Sequence, residues 1–133
     1  MTDEKFLRTS QQGELDAVPM YNNLAKKFET KNIEVSEMLK SMAADEGKHA
    51  LFFKNISGEV LKPKQFLAKM VPSLMSVFGA KFVFKFVAKF EYSAYNRYAP
   101  WVEKYPGLEN IQADERKHGD MVTEIIQKLK KKK

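Results

Sequence analysis

The chain has 133 residues, a net charge of +6 and no cysteine. That length corresponds to one domain with a real core, and the missing thiols exclude a disulfide framework, a zinc knuckle, a thiol nucleophile and cysteine-ligated iron. Five of the lysines (Lys128, Lys130, Lys131, Lys132 and Lys133) crowd the C-terminus and leave +1 for the remainder, a distribution that argues against nucleic acid and predicts a solvated, frayed tail over 129–133.

Six glycines, five prolines and an apolar period near 3.6 predict an all-α chain. The opening Met1-Thr2-Asp3-Glu4-Lys5 has no apolar run behind a basic start, so no signal peptide is expected. A first helix is predicted over 3–30, with a local kink at Pro19. A second covers 33–55 and stops before Ser57-Gly58. Residues 58–72 read as a connection with a short helix of its own, punctuated by Pro63 and Pro72. A third helix follows to residue 98, where Pro100 ends or kinks it. Pro106-Gly107 marks a turn, and a fourth helix runs from there to the lysine tail. Short turns make each successive pair antiparallel. The long middle connection supplies a crossover, giving a four-helix bundle over 1–128 with one long crossover between helices 2 and 3.

In the third helix Phe78, Phe82, Phe86 and Phe90 recur at spacing four beside Lys81, Lys85 and Lys89. Core packing with one wet face is the expectation. A dimer or membrane-surface contact is the alternative, because one side of a helix rarely buries so many rings. Lysines interrupt the most apolar stretch, 66–90, so no transmembrane helix is predicted; the default location is the cytoplasm.

Both histidines lie three residues after a glutamate, in Ala44-Asp45-Glu46-Gly47-Lys48-His49 and Ala113-Asp114-Glu115-Arg116-Lys117-His118. Residues i and i+3 share a helix face, so each pair aims a carboxylate and an imidazole at one point. The pairs interrupt apolar seams: Val35, Leu39, Met42, Glu46, His49, Phe53 in the second helix, and Leu108, Ile111, Glu115, His118, Val122, Ile125 in the fourth. Buried carboxylates cost several kcal/mol unless positive charge accompanies them, and metal supplies it.

A two-metal bundle site also takes one glutamate from each remaining helix. The third helix offers Glu91 alone. The first offers Glu14 or Glu29; Glu14 lies on the seam with Val18, Tyr21, Ala25 and Phe28, whereas Glu29 falls near the helix end. Tyr21 follows Glu14 by seven residues, as Tyr98 follows Glu91. The predicted ligands are therefore Glu14, Glu46, His49, Glu91, Glu115 and His118. Glu14 and Glu46 are 32 residues apart and Glu91 and Glu115 are 24 apart. The difference removes about one turn from each arm of a hairpin and keeps the ligands level. Metal-bound histidines usually donate their other N–H to a carboxylate. Asp45 is accordingly expected to orient His118, and Asp114 to orient His49. Tyr21 and Tyr98 are candidates to hydrogen-bond the ligand carboxylates.

Gly13-Glu14 with Tyr21, Ala25-Lys26-Lys27 and Asp45-Glu46-Gly47-Lys48-His49 resemble the first half of a rubrerythrin di-iron domain, in the ferritin-like superfamily. Phe90-Glu91-Tyr92 to Tyr98, with Ile111 to His118, is similar to ferritin-like domains found beside some vacuolar-type iron transporters. The resemblance covers about residues 5–128. It implies a homodimeric bundle with two iron ions that reacts with hydrogen peroxide or dioxygen; first-row affinity trends allow Mn or Zn to substitute. The rubredoxin module of rubrerythrins is absent from this sequence, so electrons would come from a separate donor protein. Ala88 stands where many rubrerythrins carry an extra glutamate, one turn before Glu91. A peroxide-reducing oxidoreductase is the leading expectation. Its competitors are a ferroxidase or iron-handling protein, a membrane-associated quinone hydroxylase, and a metal-binding protein without redox turnover.

Overall fold

A computed structural model describes residues 1–131; Lys132 and Lys133 of the expected tail lie outside the described residues. The elements are α1 (Asp3–Phe28), α2 (Ile33–Ser57), α3 (Phe66–Phe78), α4 (Ala80–Tyr98), a 3-10 turn (Ala99–Trp101) and α5 (Leu108–Lys131), with no strand among the described residues. The chain is all-α. It divides into two compact units, Met1–Ser73 and Leu74–Lys133, each built on one helical hairpin.

In the first unit Thr2 and Asn32 cap α1 and α2, their side chains accepting from the backbone N–H of Lys5 and Val35. These bonds satisfy donors that have no partner inside the helix. α1 continues through Pro19 as one element. α2 ends at Gly58, whose φ of 72° closes the helix in the left-handed region that glycine enters without steric cost. The hairpin is antiparallel. Near its turn the Ser36 hydroxyl donates to the Ala25 carbonyl at 2.9 Å, and at the other end Ser57 donates to Gln11 at 2.8 Å. Leu24, Val35, Leu39, Met42 and Phe53 on these two helices are wholly buried, each contributing roughly 1.5–3 kcal/mol.

The segment after α2 is bound along α1. Gln11 and Gln12 donate to the carbonyls of Glu59 and Lys62, and the Lys64 N–H donates to Asp16, at 2.9, 2.8 and 2.7 Å. Extended backbone has no ladder of its own, so these side chains do what a helix would do internally. α3 then runs through Pro72. A proline has no N–H for the carbonyl four residues back, which here is that of Ala68. Asn23 donates to that carbonyl at 3.0 Å, and the proline is thereby accommodated inside the helix.

This arrangement corrects the expected start of the third helix. Pro72 lies within α3, and the interruption falls at Gly79, with φ of 91°. The Gly79 N–H closes α3 on Met75, and its carbonyl opens α4 by accepting from Val83. No residue with a Cβ adopts that conformation cheaply.

In the second unit α4 and α5 are antiparallel. Gln112 donates to the Tyr95 carbonyl, and the Tyr92 hydroxyl donates to Asp120. Val83, Phe84, Val87, Ala88, Ala94 and Tyr98 form the buried side of α4. The expectation that Phe78, Phe82, Phe86 and Phe90 pack into the core is overturned: all four are exposed, by 49–69%. Spacing four drifts by about 40° per step around a helix of 3.6 residues per turn, so these rings lie along the outer face, interleaved with the lysines.

Candidate metal centre

Among the described residues, six carboxylate or imidazole side chains are buried with at most 6% exposure: Glu14, Glu46 and His49 in the first unit, and Glu91, Glu115 and His118 in the second. The helical hairpins create both groups by the same device. One helix supplies a glutamate and a histidine at i and i+3, and its antiparallel neighbour supplies the second glutamate at the same level.

In the first unit His49 Nδ1 stands 3.3 Å from Glu14 Oε2 and 3.2 Å from Glu46 Oε1. In the second, His118 Nδ1 stands 3.5 Å from Glu91 Oε2 and 3.7 Å from Glu115 Oε1. Within each trio, one ligand atom per residue falls within 4.8 Å of the others. The same ring nitrogen, Nδ1, converges with the carboxylates in both units, which leaves Nε2 to reach an outer partner.

Two carboxylates beside one imidazole carry excess negative charge even if the ring is protonated. At these depths like charges repel with little screening. Hydrogen bonding offsets only part of that cost. Glu46 Oε1, Glu91 Oε2, Glu115 Oε1 and His118 Nδ1 are buried atoms outside any hydrogen bond, although each of these residues is held through other interactions. A divalent cation relieves both the charge and the unmet acceptors. Two oxygen ligands and one nitrogen, with no sulfur, suit iron, manganese or zinc and do not suit an iron–sulfur cluster or Cu(I). The residues fit a metal.

Neither the search of curated proteins nor that of solved structures returned a match. The family model described as Rubrerythrin matches residues 5–121, which takes in both hairpins and all six residues. The chain belongs to the rubrerythrin family. Rubrerythrins typically bind iron, and this rubrerythrin-family chain presents buried glutamate–histidine clusters compatible with a di-iron site.

Around the clusters, Tyr21 and Tyr98 are 1% exposed. Asp45 and Asp114, each one residue before a cluster glutamate, are half-buried. Glu29 is exposed, which leaves Glu14 as the glutamate that α1 brings to the cluster.

One residue with a positioning role was not picked out from the sequence. A Cβ on Gly119 would lie 2.6 Å from the Tyr92 ring. Gly119 directly follows His118, and Tyr92 directly follows Glu91, so this close approach sets the separation of α4 and α5 at the level of the cluster. The Asp120 carboxylate that accepts the Tyr92 hydroxyl raises the pKa of that phenol and keeps the ring in place as a neutral donor. The only signal in the sequence was the glycine itself, inside an otherwise good helix-forming stretch.

Proposed function

We propose that this rubrerythrin-family chain is a non-haem di-iron oxidoreductase that reduces hydrogen peroxide, or dioxygen, with electrons from a separate donor protein. The observation that carries the reading is the duplicated Glu/Glu/His trio, buried and oxygen-rich, within a rubrerythrin match that spans it. The proposed ligands are Glu14, Glu46 and His49 together with Glu91, Glu115 and His118, enough for two ions at three side chains each.

Bound iron would supply the redox chemistry, one electron per ion, and two ions match the two electrons that turn peroxide into water. The chain's own residues prepare that reaction. Four carboxylates balance the charge of two divalent ions and favour the ferric state over a purely imidazole site. The two histidines limit the total negative charge and fix the position of each trio through Nδ1. Asp45 and Asp114 are assigned as acceptors of the histidine Nε2–H groups, which would hold the tautomer that leaves Nδ1 free for metal. Tyr21 and Tyr98 are assigned as donors to ligand carboxylates. The apolar seams on either side, Leu39, Met42 and Phe53 in α2 and Val122 and Ile125 in α5, are buried and keep bulk water from the reactive ions. A cytoplasmic location, where reductants are available, accords with this role.

The test is a stopped-flow experiment on anaerobically reduced, iron-loaded protein. Oxidation by stoichiometric peroxide within seconds, much faster than by dioxygen, is the expected result. Slow peroxide reaction with sustained oxygen consumption per added Fe(II) would reassign the protein as a ferroxidase. No reaction with either oxidant within minutes would leave a metal-binding protein without redox turnover.

A further inference from the structure

The outer face of the second unit is both apolar and uniformly basic. Val77 and Phe78 at the end of α3, then Phe82, Phe86 and Phe90 along α4, are all exposed. The Phe82 ring lies 5.5 Å from that of Phe78 and 5.1 Å from that of Phe86, so the rings form a continuous ridge. Lys85 and Lys89 are exposed beside it and Lys81 is half-buried. Over residues 61–90 there are six lysines and not one aspartate or glutamate. The core needs none of these rings, since Val83, Phe84, Val87 and Ala88 already fill the opposite side of the helix.

We propose that this face rests on an anionic lipid surface, with the phenylalanine rings in the headgroup–acyl boundary and the lysines on lipid phosphates or carboxylates. The charge decides between possible occupants. A second copy seated on the same face would bring two sets of lysines together with no carboxylate from either ridge, a like-charge contact in a desolvated interface. Protein partners favour aromatic residues, phenylalanine included, with Met and Arg at such a centre, but they deplete the lysine that lines this ridge. Phenylalanine interleaved with lysine is the composition of a helix lying in a membrane interface, because lysine stems run along apolar surface while their ammonium groups stay in water. None of the described helices is long and apolar enough to cross a membrane, so the contact is peripheral. At the surface of anionic lipids each lysine adds to the attraction, and salt weakens it.

The experiment is flotation of the full-length protein with vesicles of phosphatidylcholine alone or mixed equally with phosphatidylglycerol. Binding to the mixed vesicles at least about tenfold stronger than to phosphatidylcholine, and reduced by about 0.5 M salt, is expected. Phe82→Ser/Phe86→Ser should lower the partition constant by about tenfold or more with unchanged helicity, and Phe82→Leu/Phe86→Leu should largely retain it. Three results would overturn the proposal. One is absence of binding to the anionic vesicles. Another is binding indifferent to both serine substitutions but abolished when the lysines of 128–133 become serine, which would assign it to the tail. The third is a dimer in sedimentation that Phe82→Ser/Phe86→Ser dissociates while vesicles bind neither form, which would give the face to a second copy.

Discussion

At the scale of single residues, the cluster side chains trade stability for binding. Glu46 lies against His49 and belongs to a buried trio with a second carboxylate. Replacing it with glutamine keeps the shape and removes one of two like charges. Metal-free Glu46→Gln should therefore melt higher than the metal-free parent by about 3–5 °C, the equivalent of roughly 1 kcal/mol. The rise in melting temperature that iron gives the parent should largely vanish, since ligand stabilisation follows affinity. A melting curve with and without Fe(II) checks both halves. Gly119 acts through geometry instead. Gly119→Ala gains up to about 1 kcal/mol of helix propensity but drives a Cβ into the Tyr92 ring, and overpacking costs about 1–3 kcal/mol. Chemical denaturation should show a net loss, and Gly119→Ala/Tyr92→Leu should recover part of it. The Glu/His pairs were legible in the sequence because spacing along one helix is a local property. Gly119 was not, because its constraint comes from a ring 27 positions away along the chain.

At the scale of elements, the helices themselves were legible and their interruptions were not. Apolar periodicity placed α1, α2 and α5 within a few residues, and Asn32 and Gly58 mark the start and stop of α2 as capping chemistry predicts. In the sequence Pro72 marks a boundary, because a proline deprives a helix of one hydrogen bond. Here Asn23, from a different helix, supplies that bond at the Ala68 carbonyl, a compensation that no window of sequence around Pro72 contains. It is open to a double-mutant cycle. Asn23→Ala should cost about 1–3 kcal/mol by leaving a buried carbonyl without its donor. In the Pro72→Ala background the same change should cost much less, because residue 72 then carries an N–H of its own. Gly79 ends α3 through its positive φ, yet a lone glycine in a strongly apolar helical run costs only about 1 kcal/mol and carries little weight in a periodicity reading. The exposure of the four phenylalanines is hidden from the sequence for a related reason. Spacing four resembles a core stripe, and only the burial of Val83, Phe84 and Val87 shows which side of α4 faces inward.

At the scale of the whole molecule, two hairpins carry the same chemical device, glutamate and histidine on one helix facing a glutamate on the next, within a single rubrerythrin-family match. The central claim is that both trios are ligand sets and that together they hold two iron ions. Iron per chain, measured by elemental analysis after anaerobic loading and desalting, tests it most directly, in the parent and in Glu46→Ala/His49→Ala and Glu115→Ala/His118→Ala, with helicity checked in each. The account predicts about two irons in the parent and a clear loss in each variant. A parent that retains no iron under these conditions, or variants that keep the parent's full content, would contradict it.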